Sequence, residues 1–307
     1  MAIRDYYIDE VKKTVADIKK SPCDLTFAVV SDTHLDNSLD DTLANISETD
    51  KSVKFDFLIH LGDYLNGNIP HDYTEKILKD QVERVLSSVS GDFYPVQGNH
   101  DGFTDFRYND MATDELWEAA TGYSKPYYFV DIPEKEVRLI IICTTYYTFS
   151  DGEFSKGYGI SDEQLEWLKT EALDIQPGWT VMVFSHEIPF KDFSDNALND
   201  SSRTNGAKAL ELLISAKEKR GFDIAAWIAG DTHGEFVGKA CGINVIIVGN
   251  ETAYVPQLWS MPDGGWFEDR KLGTVTEDLW DAVTLDKKSR ELRFFRFGAG
   301  CDRSIKY

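Results

Sequence analysis

The sequence predicts an α/β fold, a layered sandwich of two β-sheets with helices outside, formed as one domain over residues 1–307. Three observations point to it. Short apolar runs recur along the chain. Several have no polar break, such as Leu139-Ile140-Ile141-Ile142 and Val245-Ile246-Ile247-Val248, and strands of that kind are covered on both faces. Amphipathic helical patterns separate some of these runs, and the tail changes to strict alternation around a polar turn, the pattern of a hairpin.

In chain order, residues 1–20 form a docked N-terminal helix. Tyr7, Val11, Val15 and Ile18 step by four, four and three, which marks one helix face. The segment has neither the apolar core nor the small-residue cleavage site of an export signal. Strand-like runs come next, at 25–30, 55–61, 93–96, 137–143, 180–184, 224–229 and 243–248. Helical patterns fall at about 39–49, 73–90, 161–172 and 205–219. Ser161 or Asp162 is the N-cap of the third. Gly221, after Lys217-Glu218-Lys219-Arg220, closes the fourth, because glycine takes the left-handed conformation that ends a helix. Residues 250–275, rich in Gly, Pro and Trp, read as a long loop. Residues 281–297 read as a C-terminal hairpin turning on Lys287-Lys288-Ser289-Arg290.

Charge narrows the function. Lys plus Arg is 32 against 53 Asp plus Glu, a net charge of −21. A surface this acidic repels a polyanion, so a long duplex held through its backbone is excluded as a partner. An anionic substrate is compatible only with a site that carries cations. No apolar run reaches the roughly 18–20 residues that span a bilayer. The cysteines Cys23, Cys143, Cys241 and Cys301 are far apart and lack the short spacing of a zinc or redox motif. Cys143 and Cys241 lie in or beside apolar runs and read as buried thiols, which with the missing export signal suggests a reducing, cytoplasmic setting.

The most informative residues stand directly after the strands. Run 25–30 ends in Ser31-Asp32-Thr33-His34 and run 55–61 in Gly62-Asp63. Run 93–96 leads into Gln97-Gly98-Asn99-His100-Asp101. Run 180–184 ends in Ser185-His186-Glu187, and run 224–229 in Gly230-Asp231-Thr232-His233. Open α/β sheets build their sites at this carboxyl edge. Oxygen and imidazole donors delivered from several loops suit divalent first-row metals.

In this order, Asp32-x-His34, Gly62-Asp63, Gly98-Asn99-His100-Asp101, His186 and Gly230-x-x-His233 resemble the calcineurin-like metallophosphoesterase family. The ending, from Gly273-Thr274 through Asp281-Ala282-Val283 to Arg296-Phe297-Gly298-Ala299-Gly300, also resembles bacterial and phage members. The resemblance implies a four-layer α-β-β-α sandwich of mixed sheets and a binuclear site between them. One ion would take Asp32, His34 and His233, the other Asn99 and His186, with Asp63 bridging. Manganese is the first expectation for both, with iron, zinc or magnesium as alternatives. The implied chemistry is attack on phosphorus by a hydroxide held between the ions, with His100 as general acid and Asp101 orienting its imidazole. One position departs. The family usually has Gly-His-x-His where this chain has Gly230-Asp231-Thr232-His233, so either Asp231 supplies an oxygen to the second ion or the second site is weak.

Other candidates read more plainly. His60 is expected as a buried, hydrogen-bonded strand residue, His71 as surface, and Asn66-Gly67 as a turn. Glu187 reads equally as support for the ligand beside it or as surface. Trp259, Trp266, Trp280 and Tyr254 suggest a small aromatic core or a cleft lining, and Arg203 and Arg303 a phosphate clamp. The expected function is hydrolysis of a small phosphomonoester or phosphodiester, with a nucleotide or cyclic-nucleotide phosphodiesterase as the alternative. The rival of another class is a noncatalytic metal-binding scaffold, which would have no need of His100. Specificity is expected in loops 101–126, 146–160, 187–204 and 250–275.

Overall fold

In a computed structural model, which describes residues 3–36, 38–67, 69–105, 110–111, 113–150, 153–199, 205–252 and 262–307, the apolar runs become two six-stranded mixed sheets. The first has the order β16 (Arg303–Lys306), β15 (Glu291–Gly298), β14 (Leu279–Asp286), β1 (Leu25–Val30), β2 (Phe57–His60), β3 (Asp92–Pro95). The second runs β12 (Phe236–Ala240), β13 (Ile243–Ile247), β11 (Asp223–Ala229), β10 (Thr180–Ser185), β7 (Val137–Ile142), β6 (Tyr128–Ile132). Strands β1, β2 and β3 are parallel to one another, as are β7, β10, β11 and β13. Their carboxyl ends therefore open toward the same edge of each sheet.

Alternation along each strand divides the core. Phe27, Val29, Phe57 and Ile59 of the first sheet meet Leu139, Ile141, Phe184 and Ile228 of the second in one buried layer. The alternate residues point outward. Ala28, Val30 and Leu58 lie under α1 (Ile8–Lys20), α2 (Leu39–Val53) and α3 (His71–Leu86). Ile140, Val181, Val183 and Trp227 lie under α6 (Asp162–Trp167) and α7 (Gly206–Arg220). Two sheets buried on both faces need helices outside, which gives the expected four layers. Tyr7, Val11 and Ile18 are the buried face of the N-terminal segment, as their spacing required.

Local signals account for the helix ends. Ser161 Oγ accepts the Gln164 N–H at 3.1 Å, and Gly221 closes α7 at φ 76°. The third helical pattern continues beyond α6 as a π-helical turn, Leu168–Ala172. Sequence reading missed short elements with weak periodicity. These are α4 (Asn99–Gly102), the paired β4 (Phe103–Asp105) and β5 (Asp110–Met111), α5 (Asp114–Thr121), the hairpin of β8 (Thr145–Ser150) and β9 (Glu153–Tyr158), and the edge strands β6, β12 and β16. The expected loops 101–126 and 146–160 therefore contain structure. α3 begins at His71, two residues before its predicted start. Cys241 is only partly buried, because it sits in the turn after β12, whereas Cys143 is buried. Trp280 is neither loop nor cleft. It lies on β14, 1% exposed, stacked 5.0 Å from Phe297 under α1. Trp266 is partly exposed, and Trp259, Tyr254 and Arg203 lie outside the described residues. No helix among the described residues is long and apolar enough to cross a membrane.

Candidate metal centre

The residues expected at the strand ends converge in one place. Asp32, His34 and His233 bring ligand atoms within 4.8 Å of one another, as do Asp32, Asp63 and His186, and His34, Asp63 and His100. The loops that deliver them turn sharply. Asp32, His34, Asp63, Asp231 and His233 all have φ between 45° and 66°. Left-handed backbone at a non-glycine residue costs on the order of 1–3 kcal/mol, and Asp and His tolerate it better than most. Cross-loop bonds hold it here: Asp32 N–H donates to Gly62 O and His34 N–H to Asp63 O, each at 3.0 Å. A Cβ at Gly98 would collide with the Asp63 carboxylate. One at Gly230 would strike Ser31 Oγ and come within 2.7 Å of Asp32 Oδ2. Those glycines are required by close approach to the ligand side chains.

Two imidazoles are aimed by their outer nitrogens. Nδ1 of His186 is 2.7 Å from Leu61 O, and Nδ1 of His34 is 3.1 Å from Leu65 O. A carbonyl there requires Nδ1–H, which turns Nε2 of both rings inward. His34 Nε2 lies 3.1 Å from His233 Nε2, and His186 Nε2 lies 3.1 Å from Asn99 Oδ1. Asp63 Oδ2 stands 3.3 Å from His186 Nε2 and 3.6 Å from His34 Nε2, between the two groups. Asp32 Oδ1 is buried without a hydrogen-bond partner among the described residues, 3.3 Å from His233 Nε2. Potential ligand atoms turned toward one another with an orphaned carboxylate oxygen among them fit a cation-binding cluster.

The electrostatics agree. Burial works against ionising Asp32 and Asp63, but His186 and its neighbours overcome it. They hold Asp32 down at about 2 and Asp63 well below the carboxylate range. Burial also works against a charged His186, yet Asp63 and Asp32 raise it well above the imidazole range. The carboxylates draw positive charge to this point, by proton or by metal ion, so metal binding would release a proton. Asp231 places Oδ1 3.7 Å from His186 Nε2. Burial, then the nearby Glu187 charge, push its carboxyl up to about 7.

Two expected roles are changed by contacts. The Asp101 oxygens accept backbone N–H from Asp63 at 2.8 Å, Leu65 at 3.0 Å and Gly98 at 3.0 Å. Asp101 therefore braces the two ligand loops, where sequence reading had it orienting His100. Burial, then the Asp63 charge, push its carboxyl up to about 8 against the pull of those donors. Arg303 pairs with Glu235 and Asp281 and is committed to the frame rather than free to clamp phosphate. His100 is 28% exposed, with Nε2 3.9 Å from Asp63 Oδ2 and its ring edge-on to His34. Glu187 is buried on Thr144 Oγ1, not on the surface. His60 is buried as expected, bonded to Thr33 Oγ1 at 3.1 Å.

Sequence reading missed Ser31, whose Oγ–H donates to Asp32 Oδ2 at 2.5 Å. It also missed Glu251, whose N–H bonds Ser31 O at 2.8 Å. The signal for Glu251 was present: the apolar run 243–248 leads into Gly249-Asn250-Glu251, a sixth polar strand end.

Carboxylates, imidazoles and an amide meeting from two sheets define a protein built to hold metal cations at the carboxyl edges of its strands. Residues 25–235 match the calcineurin-like phosphoesterases, and the chain belongs to that family. It is 29% identical over 210 residues to a protein of Rhodococcus erythropolis described as a probable cyclic nucleotide phosphodiesterase. The match spans 66% of this chain and 59% of that one. Among solved structures, a dimetal phosphatase from Danio rerio superposes with a TM-score of 0.58 at 16% identity, covering 93% of this chain and all of that one. GAP50, the anchor in the inner membrane complex of Plasmodium, gives 0.51 at 15% identity over 89% and 84% of the two chains. At such identities the likeness is one of fold.

Proposed function

We propose that the chain is a metal-dependent phosphoesterase acting on a small phosphomonoester or phosphodiester. The observation that supports this most directly is the buried Asp63 carboxylate within 3.6 Å of both His186 and His34 Nε2, one histidine from each sheet. In this reading Asp32, His34 and His233 hold one divalent ion. Asn99, His186 and Asp231 hold the other, and Asp63 is shared. When bound, two such ions supply the positive charge that polarises a phosphoryl group and acidifies water at neutral pH. The remaining work falls to the protein. His100, exposed at the mouth and against His34, donates a proton to the departing alkoxide oxygen. The left-handed turns fix the ligands before substrate arrives, and Asp101 ties the Asp63 and Gly98 loops into one frame. A noncatalytic scaffold would need no acid at position 100.

A cyclic-nucleotide substrate is the second reading, favoured by the description of the Rhodococcus relative. The reading also carries a small substrate rather than long nucleic acid or membrane, in keeping with a net charge of −21. The test loads the purified chain with Mn, Zn, Fe or Mg. It then assays p-nitrophenyl phosphate, bis-p-nitrophenyl phosphate and cyclic nucleotides. Hydrolysis of at least one class that chelator abolishes is expected. No turnover above metal alone, with any ion, would overturn the proposal.

A further inference from the structure

His34 and His186 are each aimed by a carbonyl on Nδ1, but Nδ1 of His233 is buried with no hydrogen-bond partner among the described residues. Its Nε2 faces His34 Nε2 at 3.1 Å and Asp32 Oδ1 at 3.3 Å. With no outer bond behind it, the ring's direction rests on the turn that carries it, and that turn is strained: Asp231 and His233 are both left-handed, at φ 66° and 57°. Upstream the turn is pinned where Gly230 N–H meets His186 O at 2.9 Å and Asp231 N–H meets Asp32 Oδ2 at 3.2 Å. Downstream the first anchored residue is Glu235. Its backbone exchanges both hydrogen bonds with Trp266, at 2.7 and 2.9 Å.

The Glu235 side chain is fully buried and tied in three directions. Oε1 accepts from Arg296 Nη2 at 2.6 Å and from the Gly249 N–H at 2.9 Å, and Oε2 accepts from Arg303. Both arginines are in turn held by Asp281. Arg296 pairs with it in bidentate fashion at 2.9 and 3.0 Å, and Arg303 at 2.5 Å. Two cations and two anions balance, so the network is compensated despite its burial. Asp281, Arg296 and Arg303 sit on β14, β15 and β16, all beyond the family match at 25–235.

Resting on the metal-centre reading above, we propose that Glu235 is a positioning residue for His233. Through it the C-terminal strands of the first sheet set the affinity of the ion that His233 holds. The side chain is committed to Arg296, Arg303 and the Gly249 N–H and is not among the clustered ligand atoms. It fixes the downstream end of a turn whose histidine has no bond on its outer nitrogen to aim it. Residues that orient a ligand from behind typically matter about 10–100-fold in metal affinity.

The test is a Mn²⁺ titration of the metal-free full chain, wild type against Glu235→Gln, with the two binding steps resolved. The variant should bind one ion about 10–100-fold more weakly and the other nearly as before. Wild-type affinity at both steps would overturn the proposal, and so would equal weakening at both, which is what a merely structural loss gives. Should Glu235→Gln fail to fold, Arg303→Gln is judged by the same split, since Arg303 lies at the rim with its side chain 10% exposed. Failure of the metal-centre reading looks different: wild type itself would bind no pair of ions.

Discussion

His100 and Asp231 carry the sharpest consequences among single residues. His100 is exposed enough to meet a leaving group, and its backbone N–H donates to Asp63 Oδ1 at 2.8 Å, so the ring is positioned beside the centre. His100→Asn should lower turnover by about 10²–10⁴ while leaving bound metal in place. The loss should be smaller for p-nitrophenyl esters than for alkyl esters, because p-nitrophenolate departs without a proton. Steady-state assays on both classes with metal counting check this, and an equal loss would argue against the acid role. Asp231 stands where the family usually has an imidazole and, as a ligand, would offer a harder oxygen donor beside His186. The second site should therefore favour Mn or Mg over Zn, and Asp231→His should shift preference toward Zn. Competition titrations decide, and unchanged selectivity in the variant would show that the carboxylate does not coordinate.

At the level of elements, one buried acid pair joins α2 to the ends of β13 and β14. Thr42 Oγ1 lies 2.7 Å from both Glu251 Oε1 and Asp278 Oδ1. One hydroxyl proton cannot serve two carboxylates, so one of them must itself carry a proton. Asp278 also receives Asn45 Nδ2–H and the Leu279 N–H, each at 2.8 Å, and so is the ionised member. Glu251 is the protonated one, since burial, then the Asp278 charge, push it up to about 8. Its folded pKa thus lies above its unfolded value, so the native state holds the extra proton. Stability from this group is complete below roughly pH 4 and is lost as pH rises through about 8. Glu251→Gln should remove that dependence. Thermal midpoints measured from pH 6 to 9 should fall less steeply in the variant than in wild type, and parallel slopes would contradict the assignment.

For the whole molecule, metal and stability are linked. The site joins strand ends of both sheets, and a cation bound only by the folded chain stabilises it by mass action. At free metal 100-fold above Kd the gain is about 2.7 kcal/mol per ion. Scanning calorimetry should show a higher midpoint with Mn²⁺ and a lower one after chelation. Asp63→Asn, missing the carboxylate nearest both groups, should respond weakly to added ion and lose activity with it. A variant that keeps two ions and near-normal turnover would refute the shared-ligand assignment. The C-terminal strands belong to this same unit, because β14 lies between β15 and β1 inside the first sheet.

By itself, the sequence determined the strands of the inner core, the four main helices and the docked N-terminal one. It also determined the motif residues, because each rests on a local signal: an unbroken apolar run, a helical period, or a polar residue where a buried strand ends. Asp32, His34, Asp63, Asn99, His186 and His233 were legible for that reason. Tertiary structure alone decided what those residues touch. Asp101 is turned to three backbone N–H groups of neighbouring loops, Arg303 is spent on Glu235 and Asp281, and Trp280 is core. Glu235 and Glu251 gained importance only once distant strands were adjacent. The edge strands β6, β12 and β16 were likewise hidden, since half-exposed strands carry little apolar pattern and gain their order from the neighbour they pair with.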